Sequence, residues 1–178
     1  MPEDPPGTQV FCKVTESSEC ILMAHPTGVK NIMPVDNPQV IIAGIREALG
    51  DNQALIEVKS VRTDNYGYVY SIVKTLMEPS GVNYTLTLDI VKAERAVHLQ
   101  GFFNEAGMTG IRDTVVLEIE HRNNNVTGNL EGWLKDPYDE NIKRDYLMNL
   151  SEYEKYDEMF PDHPLSVLRT FIKGLRIL

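Results

Sequence analysis

Residues 82–92 read VNYTLTLDIVK, and their strict alternation decides the fold. Val82, Tyr84, Leu86, Leu88 and Ile90 point one way, while Asn83, Thr85, Thr87 and Asp89 point the other. Side chains alternate across a strand, so this is a strand with one buried and one wet face. Similar stretches flank it. ALIEVKSVR (54–62) is joined by TDNYG to YVYSIVKTLM (68–77), EPSG leads into the quoted strand, and a short AE turn leads to RAVHLQGFF (95–103). A parallel pair needs a long crossover, so connections this short dictate an antiparallel four-strand meander. The second of these strands is apolar on both faces, with Val69, Val73 and Met77 on one and Tyr68, Tyr70, Ile72 and Leu76 on the other. It should lie centrally, covered on both sides.

Upstream, a proline-rich lead-in (1–7) precedes TQVFCKV and ECILMAH, a hairpin turning at Glu16–Ser18. Cys12 and Cys20 stand on either side of the turn and could face each other, although two reduced thiols suit a cytosolic chain. The helix PQVIIAGIREAL follows, with Asp36 or Asn37 as N-cap, Pro38 in the first turn and Gly50 as a left-handed C-cap. Ile41, Ile45, Ala48 and Leu49 form its apolar face.

Downstream of the meander, GFFNEAGMTGIRDT (101–114) leads into a second helix through GIRDTVVLEIEHR. Thr109 is its expected N-cap, Asp113 suits its positive end, and Ile111, Val115 and Ile119 share one face. TVVLEI also has high strand propensity. Two uses of this joint compete. Backbone N–H groups and Arg112 could cradle an anion beside Glu105. Alternatively the joint is structural: Gly107 and Gly110 allow a sharp turn, Thr109 caps, and Glu105 pairs with Arg112. The second needs no ligand and is preferred.

NNNVTGN (123–129) breaks the pattern and divides the chain into an α+β core, 1–129, and an acidic helical extension, 130–178, packed on the same domain. Lys135–His163 holds nine acidic residues against four Lys or Arg. Ser151 and Glu154 have capping-box spacing. A final helix from Pro164 carries Val167, Leu168, Phe171, Ile172 and Leu175 on one face. Trp133 and Tyr138 just past the boundary are candidate partner anchors, or aromatics that bury the linker. The acidic segment 136–162 is a solvated helix face, or a docking surface for a basic partner.

The net charge of −9 and the absence of a basic cluster argue against nucleic acid and against anionic membranes. The first ten residues lack a signal peptide's cationic and apolar regions, which leads us to expect a cytoplasmic chain. The three N-x-[ST] triplets, at Asn83, Asn125 and Asn149, are then chance. His25, His98, His121 and His163 are scattered, no zinc or calcium spacing occurs, and phosphate-loop and nucleophile-elbow motifs are missing. No catalytic residue, cofactor or metal is therefore assigned.

The order hairpin, helix, meander, helix, together with FFNEAGMTGIRDT at the strand-to-helix passage, resembles the PsbP-like fold over residues 8–122. That fold is shared by the photosystem II extrinsic protein PsbP and the Ran-binding Mog-type proteins, and the general look is bacterial. The resemblance implies a binding or assembly factor with a protein partner, and transfers no calcium, manganese or Ran-binding residue. We expect an α+β protein, an antiparallel sheet flanked by helices, monomeric or homodimeric. Its expected role is a non-catalytic binding or scaffolding domain. The alternative is a small-molecule binder or atypical hydrolase using a cleft between the meander and the C-terminal extension.

Overall fold

The computed structural model describes residues 5–175. Strands β1 (Gln9–Val14) and β2 (Ser18–Thr27) form the hairpin, and α1 (Pro38–Ala48) follows. The meander is β3 (Gln53–Arg62), β4 (Gly67–Leu76), β5 (Val82–Lys92) and β6 (Arg95–Glu105). Helix α2 (Ile111–Arg122), the short pair β7 (Leu134–Lys135) and β8 (Met148–Asn149), and α3 (Pro164–Leu175) complete the chain. The six long strands make one antiparallel sheet in the order β1-β2-β6-β5-β4-β3. The hairpin thus adds to the meander's free β6 edge. To reach the opposite edge after β2, the chain uses α1.

The alternation in β5 holds on one face: Tyr84, Leu86 and Leu88 are at most 1% exposed. They join Tyr68, Tyr70, Ile72, Leu99 and Phe103 from the neighbouring strands in a core that α3 closes with Leu165, Leu168 and Ile172. On the other face α1 packs Ile41 and Ile42 on Leu55, Val58 and Val69, so β4 is covered on both sides, one strand in from the edge. Asp89 departs from the expected wet face. It is 1% exposed because it accepts the Met33 N–H and pairs with His98.

The elements end differently from expectation in three places. The Asn37 side chain accepts the Val40 N–H at α1, as proposed, but the helix closes with Leu49 in an extended conformation, and Gly50 is not left-handed. On α2 two residues of the expected apolar face, Ile111 and Val115, are exposed and Ile119 is partly buried, and the buried stripe is Arg112, Val116 and Glu120. Segment 150–156 forms two 3-10 turns where a helix was expected, and the capping box pairs Asn149 with Glu152, not Ser151 with Glu154. The extension still shares the meander's core through Met148, Leu165 and Leu168.

Candidate functional site

The joint at 105–112 is held by contacts within the chain. Gly107 and Gly110 have φ of 66° and 74°, which side chains resist, and a Cβ on Gly107 would meet the Glu16 carbonyl oxygen at 2.7 Å. Gly110 occupies the N-cap without a side-chain bond, which corrects the assignment to Thr109. Thr109 instead reaches Ser80 Oγ at 3.4 Å. Glu105 accepts the Gly110 N–H at 2.8 Å and so occupies the helix start where an anion would sit. Burial raises the Glu105 carboxyl pKa, partly offset by that N–H.

Arg112 does not pair with Glu105. Its side chain is 1% exposed and salt-bridged to Asp157 at 3.0 Å. It also donates to the Ser151 carbonyl and Ser166 Oγ, each at 2.8 Å, to the Tyr153 carbonyl at 3.3 Å, and to His163 Nδ1 at 3.4 Å. A guanidinium has five N–H donors, and these contacts engage them inside the protein. Around it, Asp113 accepts from Ser151 and Asn149, and Lys74 pairs with Glu152 at 2.9 Å. Tyr84 donates to the same Glu152 at 2.9 Å. This buried polar layer fastens the extension to the core. No single residue in the sequence announces it, because each partner lies far away along the chain.

The two aromatic candidates both have partners within the chain, and Tyr138 stays 40% exposed. Trp133 is 8% exposed and packs with Val116, Val126 and Tyr156. The Tyr138 hydroxyl donates to the Val58 carbonyl at 3.0 Å and accepts the Val58 N–H, which clasps edge strand β3. A bulge between Leu55 and Glu57 further disrupts that edge.

Among the described residues no strand pairs with the opposite edge. All six residues of β1 are exposed, Phe11 at 53%. Beneath it, between the hairpin, β6 and α3, runs an apolar groove of about 360 Å³ lined by Phe11, Leu22, Leu99, Phe103, Val167 and Phe171. Among the described residues, Lys13 is the one charged residue on its walls. Cys20 also lines it; burial raises its thiol pKa, so the group stays protonated and poorly nucleophilic. Cys12 and Cys20 are not cross-strand partners: Cys12 faces Ile21, Cys20 faces Lys13, and both thiols are free. The sequence suggested a cleft between the meander and the extension. This groove lies between the sheet and α3, with the hairpin as a further wall.

Among the described residues no helix is long and apolar enough to cross a membrane, and no group of three or more His, Cys, Asp or Glu is placed to hold a metal. Comparison with known proteins returns no match, to a family model or to a curated protein.

Proposed function

We propose that the chain is a non-catalytic binding or scaffolding domain that captures an extended segment of a protein partner along β1. The observation that carries this reading is the coincidence of a strand edge left unpaired among the described residues with an apolar groove directly beside it. An added strand would take main-chain hydrogen bonds from β1 and place alternate side chains in the groove, the usual division between affinity and specificity in strand addition. Lys13 at the rim favours an acidic residue in that segment. The resemblance to PsbP-like domains, with their binding and assembly roles, supports the same direction.

The groove's volume also falls in the range that holds small molecules, which favours a second reading, an apolar small-molecule ligand. Selection from a random peptide library followed by NMR titration tests the first. The expected result is shift changes confined to β1, β2 and α3, and at least tenfold weaker binding for Phe11→Glu. Peptides that perturb other surfaces, or none that bind, would refute it. Thermal stabilisation by long-chain fatty acids, lost in the same variant, would favour the second.

A further inference from the structure

Three side chains stand in one cross-strand row of the sheet. Asp89 on β5 is opposite His98 on β6, and His98 is opposite His25 on β2. Asp89 is 1% exposed, and one carboxylate oxygen is held by the Met33 N–H at 2.8 Å. Its other oxygen lies 2.7 Å from His98 Nδ1. A carboxylate only accepts, so it selects the tautomer with the proton on Nδ1 and leaves the Nε2 lone pair free. The two ring nitrogens diverge. With Nδ1 held on the β5 side, Nε2 is the ring nitrogen left to a ligand, and His25 is the cross-strand neighbour of His98 on β2. The rings of His25 and His98 are 5.2 Å apart, tilted by 50°.

That separation lies within the range of ordinary ring contacts and also matches two imidazoles sharing one metal ion. Imidazole nitrogen binds zinc at about 2.0–2.1 Å, which puts each ring centre about 3.2 Å from the ion and two rings on one tetrahedral ion about 5.2 Å apart. A metal-bound histidine whose other nitrogen is held by a buried carboxylate is also the standard outer-shell arrangement. We propose that His25 and His98 form a two-imidazole site for a late divalent transition metal, with Asp89 as the positioning residue behind His98. Imidazole ligands suit Cu²⁺, Ni²⁺ and Zn²⁺, and the general affinity order places Cu²⁺ first. Met23 and Gln100, two residues along β2 and β6 on the same face, stand beside the pair, and water completes the sphere. The site was hidden in the sequence because its ligands come from strands at opposite ends of the core and meet only through the hairpin's pairing with β6.

The test is calorimetric titration of the full chain with Cu²⁺, Zn²⁺ and Mg²⁺, in a Cys12→Ser background that removes the exposed thiol. One Cu²⁺ per chain is expected, bound more tightly than Zn²⁺, with no Mg²⁺ uptake. His25→Gln should weaken Cu²⁺ binding at least tenfold and reduce the nitrogen hyperfine pattern in electron paramagnetic resonance from two imidazoles to one. Asp89→Asn should weaken it about 10–100-fold, and His121→Gln should change nothing. His25 is partly exposed, so its variant is expected to keep the wild-type circular dichroism and decides the matter even if the Asp89 variant misfolds. Failure of the wild type to bind, or unchanged affinity and spectrum in His25→Gln, would reduce the pair to an aromatic contact and overturn the proposal.

Discussion

Helices α2 and α3 have the same length, twelve residues, and pack on the same body with opposite chemistry. In α3, Leu165, Leu168 and Ile172 are 0–2% exposed, set against the apolar sheet face. In α2 the inward stripe is Arg112, Val116 and Glu120, while Ile111 and Val115 are 44% and 39% exposed. The neighbour decides. The sheet offers α3 aromatic and aliphatic side chains. The 149–157 segment offers α2 the carbonyls of its irregular backbone and the Asp157 carboxylate, and buried polar groups must find partners. Glu120 shows the same logic at the far end of α2. Burial would raise its pKa, but hydrogen bonds from Lys155, Tyr156 and Asn125 outweigh that and bring it to about 2. A helix's apolar stripe therefore identifies its buried face only where the opposing surface is apolar as well.

The sharpest way to break this contrast is Arg112→Ala. Breaking a buried ion pair costs about 3–5 kcal/mol; here Asp157 keeps Arg169 at 3.2 Å, while the Ser151 and Tyr153 carbonyls lose their donor. We expect a loss of that size in urea denaturation, and a loss below about 1 kcal/mol would show that α2 docks without the polar layer. Leu168→Ala is the matching change in α3. Truncating a fully buried leucine costs about 2–5 kcal/mol, depending on how far the cavity collapses, and the same measurement reads it.

The two interfaces should also respond differently to acid. His163 lies in the polar layer, where burial and the positive charges of Arg112, Arg169 and Lys74 lower its pKa from 6.5 to about 3. Between those values the unfolded chain binds a proton that the folded chain does not, so stability is present above 6.5 and falls as pH drops toward 3. The urea midpoint of the wild type should decline through that window, with a shallower decline in His163→Gln. Equal slopes would place the acid sensitivity elsewhere.

Smaller effects refine the comparison. Phe171 is only partly buried, because its outer side lines the groove, so Phe171→Ala should cost about 1–2 kcal/mol, less than full burial of such a side chain would give. A loss as large as that of Leu168→Ala would mean the groove is filled in solution. Ile111→Ser should change thermal stability by less than about 0.5 kcal/mol, as surface substitutions do. A clear destabilisation would mean the outer face of α2 is covered in solution.

Strand alternation, short turns and the Asn37–Pro38 helix start were readable because each is local. Period two in β5 follows from the pleat, two- to five-residue connections cannot join parallel strands, and a capping side chain acts within three residues. The amphipathic α3 was readable for the same reason. Other features could be settled only by tertiary structure. Thr109 looked like a cap, but Glu105, brought alongside Gly110 by the turn at Gly107, reached the free N–H group first. Arg112 looked like a surface ion pair until Ser151, Asp157, His163 and Ser166 folded over it. Asp89 looked solvated until the β5–β6 register set His98 beside it. The groove exists only because the hairpin adds to β6 and α3 crosses beneath. The sequence by itself determined the six long strands, the three helices and the apolar side of the sheet, since propensity and periodicity act over a few residues. Which polar groups would be buried, and with which partners, was left to tertiary structure, because a buried charge is stabilised by groups that the chain brings together from far apart.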